Sequence, residues 1–142
     1  MQAQAHTKVF LVEDFAPVRN RLTELLTEIE GVEIVGEAES PADAIGGILN
    51  TRPDWVVLDF QLLGGTGVDV LRAVHPKAPS IKFIVLTNHP NAQYRRTCVE
   101  SGADWFFDKS TEFGKIKDVI AGPVAANSSY DENNKQSTFN ER

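Results

Sequence analysis

Three acidic residues in this 142-residue chain stand where short apolar runs end. The apolar run at 55–58 leads directly into Asp59. A similar run at 8–12 is followed by Glu13 and Asp14. An ionised carboxylate at the edge of a core is costly unless something pairs with it. Two interpretations of Asp59 are therefore open: it marks where a strand leaves the core, or the core holds this carboxylate for chemistry.

Two more polar side chains, Thr87 and Lys109, also follow apolar runs, and with the acids they suggest a chemistry. If the first and third strands are neighbours, the three carboxylates meet, and like charges at that distance raise one another's pKa. A divalent cation resolves the conflict, and Mg²⁺ prefers a few carboxylates plus water. A metal ion, an ammonium and a hydroxyl suit a phosphoryl group carried on a carboxylate, because its added charge needs cations and donors.

The elements that must position these residues alternate between strand and helix. Apolar runs predict five strands, at 8–12, 33–38, 55–59, 82–87 and 104–108. Helical spacing predicts a helix after each strand, at 15–29, from 41 to before Pro53, at 66–75, at 91–101 and from about 110 to 121. Ser40 and Ser110 are predicted to cap the second and fifth helices. Continuous apolar strands indicate burial on both faces, so we predict a doubly wound α/β fold with a five-stranded parallel sheet. The order expected for this sheet is 2-1-3-4-5, and it is this order that would make the first and third strands neighbours.

Composition narrows the class of protein. The formal net charge of −6, without a block of Lys or Arg, argues against direct nucleic-acid binding. The single cysteine, Cys98, excludes a disulfide framework, and no apolar run is long enough for a signal peptide or a membrane span. We expect a cytoplasmic protein with a flexible N-terminus at 1–7, one globular domain at 8–122 and a polar, disordered tail at 123–142.

Four segments of the chain resemble the receiver domains of two-component response regulators. "FLVEDFAPVR" is similar to the family's first strand with its acidic pair, and "VVLDFQLLGGTGVDVL" is similar to the segment around the phospho-accepting aspartate. "FIVLTNH" and "GADWFFDKS" resemble the strands that bear the switch threonine and the lysine. The match spans residues 8 to about 121 and implies the flavodoxin-like receiver fold.

This resemblance implies roles for the acidic residues. Asp59 would be the nucleophile that takes phosphate from a phosphohistidine on a sensor histidine kinase or a histidine phosphotransfer protein. Asp14 would bind Mg²⁺ directly, and Glu13 would bind it directly or through water. The backbone carbonyl of Gln61, two residues past the nucleophile, is the expected third protein ligand, with Asp59 itself completing the set.

The resemblance also implies a switch. Thr87 and Lys109 would contact the phosphoryl oxygens, and Phe106 stands at the family's aromatic switch position. Phosphorylation would pull the threonine inward and the aromatic ring would follow, which remodels the face made by the fourth helix, fifth strand and fifth helix. A downstream protein, or a second copy of the chain, would bind that face. Plain packing is the rival interpretation for Phe106, because its aromatic-rich strand would supply core side chains in any α/β domain.

The chain departs from the family pattern near the lysine. Ser110 follows Lys109 where the family usually has a cis proline, and a cis bond before serine would cost about 2.5–4 kcal/mol. Either that strain is tolerated or the loop differs. Asn88 replaces a smaller residue and is predicted to narrow access to Asp59. Phe106 lacks the hydroxyl that a tyrosine-based switch uses.

We therefore expect a stand-alone receiver, because no output domain follows residue 123 in this sequence. It would catalyse only its own phosphorylation and hydrolysis, without turnover of a free substrate. The alternative is a degenerate receiver that acts as a phosphorylation-independent interaction module. A phosphatase of the haloacid-dehalogenase type is disfavoured because Gln61 stands where that family needs a second acid. A flavin binder lacks support because no Ser/Thr-rich phosphate loop follows the first strand.

Overall fold

The computed structural model describes residues 6–122, which form one parallel sheet flanked by helices. The strands are β1 (Thr7–Val12), β2 (Val32–Ala38), β3 (Trp55–Asp59), β4 (Gln61–Leu62), β5 (Gly65–Thr66), β6 (Lys82–Thr87) and β7 (Trp105–Asp108). The helices are α1 (Ala16–Thr27), α2 (Pro41–Thr51), α3 (Gly67–Val74), α4 (Ala92–Glu100) and α5 (Lys115–Ala121). The predictions for residues 1–5 and for the tail at 123–142 lie outside the described residues.

The five long strands pair in the order β2-β1-β3-β6-β7, and every pairing between them is parallel. This confirms the predicted order 2-1-3-4-5, because β4 and β5 form a separate antiparallel pair. The chain winds outward in one direction from β1 and in the other from β3, so the switch point lies between these two strands. Ligands of open α/β sheets bind at this point, beyond the carboxyl ends of the strands.

Four of the five strands, β1, β3, β6 and β7, bury side chains on both faces, as their apolar runs predict, whereas β2 at the edge buries only Ala38 fully. In β3, Val56 and Leu58 belong to a core shared with α2, α3 and α4. The residue between them, Val57, belongs to a second core shared with α1 and α5. Successive side chains of a strand point to opposite faces, so a three-residue apolar run anchors the sheet to both helix layers at once. The end of β3 is consequently held from both sides.

Most helix boundaries follow the predicted caps. The Asp43 amide donates to the Ser40 hydroxyl at 3.3 Å, which confirms the predicted start of α2. α4 ends at Glu100, and Gly102 takes the left-handed φ of 119° expected of a helix stop. α1 is shorter than the predicted 15–29 and ends at Thr27. Within residues 6–122, no helix has both the length and the apolar character needed to cross a membrane.

The predicted cap of the last helix is wrong. α5 begins at Lys115, directly after Gly114, and Ser110 lies well before it. The Ser110 hydroxyl donates instead to Oδ1 of Asp108 at 2.7 Å, and the Ser110 amide donates to the same oxygen at 2.8 Å. A local turn with Asp108 thus takes up the polar groups that a helix cap would have used.

Candidate functional site

The three acidic residues converge at the switch point of the sheet. β1 and β3 are neighbours, with Val12 opposite Leu58, so the residues that follow them emerge side by side. Glu13, Asp14 and Asp59 each place a carboxylate oxygen within 4.8 Å of the others. Glu13 and Asp59 are only 1% and 6% exposed, whereas Asp14 is more open to solvent. The convergence predicted from the strand ends is therefore present.

Lys109 reaches this acidic cluster from the β7 edge of the sheet. It follows β7, which is separated from β3 by β6, and its amide donates to the Thr87 carbonyl at 2.8 Å. Its Nζ lies 2.9 Å from Oε1 of Glu13 and 3.1 Å from Oδ1 of Asp59. A four-carbon stem can span the intervening strand, and the ammonium neutralises part of the negative charge. We call Glu13, Asp14, Asp59 and Lys109 the acid pocket.

The charges of the acid pocket change the proton affinity of its members. Burial, together with the neighbouring charge of Glu13, raises the pKa of Asp59 from 3.8 to about 6, although Lys109 opposes the rise. Burial alone would lower the pKa of Lys109, but the contacts with Glu13 and Asp59 outweigh it and the pKa is raised. The ammonium therefore stays charged at neutral pH, while Asp59 is held close to the point at which it takes up a proton.

A cavity of about 480 Å³ opens over the acid pocket. Gln61, Thr87 and Asn88 line it together with the acid pocket, so all the residues predicted to bind metal or phosphoryl groups share one space. Asn88 thus lines the same cavity as Asp59, and its effect on access to Asp59 stays a prediction. The Thr87 side chain is buried, and its oxygen accepts a hydrogen bond from the His89 amide at 3.0 Å, which leaves the hydroxyl proton able to donate to a ligand.

Backbone hydrogen bonds fix Asp59 at the mouth of the cavity. The next residue, Phe60, donates its amide to the Leu86 carbonyl at 2.8 Å and accepts from the Gly67 amide at 2.7 Å. A Cβ at Gly67 would lie 2.7 Å from the carbonyl oxygen of Asp59, so only glycine allows this close approach. The short β4–β5 hairpin lies between these points, an element that the apolar pattern does not predict.

The oxygen ligands of the acid pocket fit a hard divalent cation. Three carboxylates and a water-accessible cavity match the ligands that Mg²⁺ prefers, which are few carboxylates with several waters. Glu13, Asp14 and Asp59 would supply carboxylate oxygens, and Gln61 lines the same cavity at the start of β4. The site can therefore hold a metal ion, and Lys109 shields the negative charge that remains.

The predicted switch residue lies away from the acid pocket, in the core beneath α4. Phe106 is 4% exposed and packs in the same core as Val85, its partner on β6. The guanidinium of Arg95, on α4, sits 5.2 Å from the centre of its ring. The ring is thus in an inward position, covered by a cation. Both packing and a switch are compatible with this placement.

A second contact with α4, which the sequence analysis missed, begins directly beside Asp59. The rings of Phe60 and Tyr94 stack with centroids 4.5 Å apart and planes 21° from parallel. We call this pair the aromatic link. The only hint in the sequence is a lone tyrosine on an otherwise polar helix, and its partner is far away along the chain. Consecutive residues of α4, Tyr94 and Arg95, therefore contact the neighbour of Asp59 and the predicted switch residue.

The peptide bond between Lys109 and Ser110 is trans, as are all peptide bonds in residues 6–122. Of the two outcomes left open by the missing proline, the structure has the different loop. The Asp108 amide donates to Oε1 of Glu112 at 2.9 Å, and Asp108 in turn accepts from Ser110. This compact turn holds the segment from which Lys109 reaches into the cavity.

Comparison with known proteins agrees with this arrangement. The chain is 34% identical over 119 residues to the DNA-binding transcriptional activator DevR/DosR of Mycobacterium tuberculosis, a match that covers 81% of this chain and 55% of that protein. It is 29% identical over 119 residues to the response regulator GacA of Pseudomonas aeruginosa, covering 81% and 56%. The chain thus spans about half the length of the curated relatives it matches.

Solved structures give the same result for the fold. The signal receiver domain of the putative response regulator NarL from Mycobacterium tuberculosis matches with a TM-score of 0.74 at 24% identity, covering 86% of this chain and 95% of that one. A DNA-binding response regulator of the LuxR family from Staphylococcus aureus matches with a TM-score of 0.74 at 25% identity, covering 80% and 95%. The family model of the response regulator receiver domain matches residues 9–121, from β1 through α5, and the chain therefore belongs to that family.

Proposed function

We propose that this receiver accepts a phosphoryl group on Asp59 from a phosphohistidine of a sensor histidine kinase or a histidine phosphotransfer protein. The single observation that carries the proposal is the position of Lys109, whose ammonium lies within 3.1 Å of both Asp59 and Glu13. A buried lysine aimed at a strand-end acid is what a growing phosphoryl charge needs, because it offers a cation that requires no rearrangement.

The transfer step balances as a displacement at phosphorus. A carboxylate oxygen of Asp59 attacks the phosphorus atom, the bond from phosphorus to the imidazole nitrogen breaks, and the leaving imidazole takes the electron pair and then a proton. Lys109 and the Thr87 hydroxyl donate to the phosphoryl oxygens. A bound Mg²⁺ would supply positive charge to the transferring group, held by Glu13, Asp14, Asp59 and the backbone carbonyl of Gln61.

Hydrolysis, a second phosphoryl transfer with water as the acceptor, resets the domain. Water attacks the phosphorus of the acyl phosphate, the bond from phosphorus to the Asp59 oxygen breaks, and inorganic phosphate leaves. The protein acts only on its own side chain, so we do not propose an enzyme that turns over a free substrate. Asn88 lines the cavity that contains Asp59 and is expected to influence this hydrolysis by limiting the approach of water.

The output is proposed to be a change on the face formed by α4, β7 and α5. Thr87 moves toward the phosphoryl group, and Phe106 and the α4 residues that contact it adjust together. A downstream protein or a second copy of the chain would bind the altered face. DevR/DosR and the Staphylococcus aureus structure are named as DNA-binding proteins, but this chain spans only about half of the former. We propose signalling by protein contact, in the cytoplasm, where a kinase's phosphohistidine is available.

Mass measurement after incubation with acetyl phosphate and Mg²⁺ tests the proposal. The wild-type protein should gain one phosphoryl mass, the gain should disappear with EDTA, and Asp59→Asn should show none. Asp43→Asn is a matched control, because it removes an exposed carboxylate from α2 without touching the acid pocket. No gain in the wild type, with acetyl phosphate or a panel of phosphorylated kinases, would favour the degenerate interaction module. A gain that persists in Asp59→Asn would mean that the nucleophile is wrong.

A further inference from the structure

Arg19 contacts the backbone of the acidic loop but is not among the residues that line the cavity. Its Nη1 donates to the backbone carbonyl of Glu13 at 2.8 Å. The same nitrogen lies 3.2 Å from Oε2 of Glu39, and Nε lies 3.5 Å from Oε1 of Glu37. The Arg19 side chain is only 17% exposed, whereas its two acidic partners are about half exposed. The guanidinium is therefore enclosed between α1 and the end of β2.

These contacts restrain the peptide bond that joins the two acidic residues. The Glu13 amide donates to the Ala38 carbonyl at 3.0 Å, and the Glu13 carbonyl accepts from Arg19 at 2.8 Å. Both polar backbone groups of one residue are thus tied to neighbours on either side. The carbonyl of Glu13 belongs to the peptide plane from which Asp14 begins, so its orientation decides where the Asp14 carboxylate points. Asp14 is the most exposed of the three acids and depends most on its backbone.

The same short segment after β2 also restrains the second loop of the site. The Leu63 amide, in the turn of the β4–β5 hairpin, donates to the Glu39 carbonyl at 3.3 Å. Glu39 thereby meets the acidic loop through Arg19 and meets the hairpin that begins at Gln61 through its backbone. Both loops expected to carry metal ligands are thus connected to Glu39, the acidic loop through Arg19 and the hairpin directly. Side chains that orient ligands without touching the metal commonly change metal affinity when removed.

We infer that Arg19 is a positioning residue for the divalent cation, acting through the Glu13–Asp14 peptide. The inference rests on the proposed function, because it assumes that the acid pocket binds Mg²⁺. A planar fork with several fixed donors is needed to hold a carbonyl and two carboxylates together, and lysine offers only a single point charge. Arg19→Gln should therefore weaken Mg²⁺ binding about ten-fold, and Arg19→Lys should weaken it less.

The experiment is a Mg²⁺ titration by calorimetry of the wild type, Arg19→Gln, Arg19→Lys and Lys117→Gln. Lys117 is the matched control, because its Nζ forms a 2.9 Å ion pair with Glu28, directly after the helix that carries Arg19, and neither residue lines the cavity. The control should bind Mg²⁺ like the wild type. Urea unfolding in EDTA accompanies each titration, and Arg19→Lys replaces Arg19→Gln if the latter does not fold.

The Mg²⁺ dependence of phosphorylation distinguishes a positioning role from a purely structural one. For a positioning role, labelling by acetyl phosphate should need about ten-fold more Mg²⁺ for half its maximal rate in Arg19→Gln, while the rate at saturating Mg²⁺ stays within two-fold of wild type. A Mg²⁺ affinity within two-fold of wild type in folded Arg19 variants, or an equal loss in Lys117→Gln, overturns the inference alone. A wild type that binds no Mg²⁺ overturns both this inference and the proposed function.

Discussion

The acid pocket and the aromatic link lie on either side of one peptide bond, yet they are held by opposite kinds of interaction. Asp59 sits among buried charges whose partner is an ammonium 3.1 Å away. Phe60, the next residue, stacks on Tyr94 with ring centroids 4.5 Å apart. The free energy of a buried charge cluster changes strongly when one charge is added or removed. A ring stack contributes mainly through its contact area. Under the proposed function, sensing and transmission would thus fall to neighbouring residues that are held by different kinds of interaction.

This contrast explains how the ionised side chain of Asp59 can be energetically unfavourable while its backbone is well fixed. The backbone of Asp59 is held by both cores and by the glycine at position 67, while its side chain carries an unfavourable charge. A cation or a phosphoryl group changes only the side chain's electrostatics. In the proposed function, the movement that follows would pass first through the aromatic link, whose stacking does not depend on a net charge. The predictions below test each half of this division.

The largest effect is expected from Lys109→Met, which leaves two buried carboxylates without their ammonium. Removing one partner of a buried ion pair typically costs about 3–5 kcal/mol, so the free energy of unfolding at pH 8 in EDTA should fall by about 3 kcal/mol. Phosphorylation by acetyl phosphate should slow about 10²-fold, because one preorganised donor is lost. Urea unfolding and mass measurement provide the two readouts.

Lys117→Met is the control for this prediction, since Lys117 is a partly exposed lysine of α5 paired with Glu28. It should change stability by less than about 1 kcal/mol, as exposed ion pairs do, and leave phosphorylation unchanged. Equal stability losses in the two variants would mean that Lys109 does not compensate buried charge.

A smaller effect of opposite sign is expected from Asp59→Asn in the absence of metal. The pKa of Asp59 is raised to about 6 in the folded protein from 3.8, so the folded state binds the proton more tightly. Ionised Asp59 therefore destabilises the fold above pH 6, and this penalty shrinks as the pH falls from 6 toward 4. Asparagine should raise the free energy of unfolding at pH 8, with an upper limit of about 3 kcal/mol set by the rise in pKa.

The measurement is urea unfolding of both proteins in EDTA from pH 4 to 8. The advantage of Asp59→Asn should be largest at pH 8 and close to zero at pH 4. Addition of Mg²⁺ at pH 8 should stabilise the wild type and have little effect on the variant. An advantage that does not change with pH would indicate a packing effect, and the charge argument for the acid pocket would be wrong.

The sequence was informative where a charged residue directly follows an apolar run that is expected to be buried. Acids that end apolar runs demand an explanation, and the order of the strands brings Glu13, Asp14 and Asp59 together. Lys109 follows from the same logic, because a single ammonium at another strand end can compensate them. The alternation of apolar runs with helical segments indicates a parallel α/β sheet from a single sequence, whereas the order of its strands had to be assumed.

The features that could not be predicted from the sequence depend on competing hydrogen bonds or on contacts between residues that are far apart along the chain. Ser110 is a residue type that caps helices, but its hydroxyl donates to the carboxylate of Asp108, two residues away, instead of capping α5. Arg19 looks like an ordinary charged residue of an amphipathic helix until β2 brings Glu37 and Glu39 beside it. The stack of Tyr94 on Phe60 likewise requires the packed sheet, since nothing in either segment specifies the other.

For the aromatic link, the expected effects on the free energy of unfolding are smaller and do not depend on charge. Tyr94→Ala removes one ring of the aromatic link and should lower the free energy of unfolding by about 1–2 kcal/mol, whereas Tyr94→Phe keeps the stack and should lower it little. A double-mutant cycle with Phe60→Leu should give a coupling of about 1 kcal/mol. Phosphorylation of Asp59 should continue in Tyr94→Ala within a few-fold of the wild-type rate. A loss as large as that of Lys109→Met would mean that the two regions are not separate.

The smallest effect is expected at Arg95, which covers the ring of Phe106 at 5.2 Å. Arg95→Gln should lower stability by about 0.5 kcal/mol, because a partly exposed cation over an aromatic face contributes little. Its coupling to Phe106→Leu in a double-mutant cycle should be of the same size, and Arg96→Gln, an exposed neighbour, should show none. Small couplings suit a switch, since a ring held by many kcal/mol would not move when one phosphoryl group binds. A coupling above about 2 kcal/mol would instead identify Phe106 as a fixed part of the core and remove it from the proposed output.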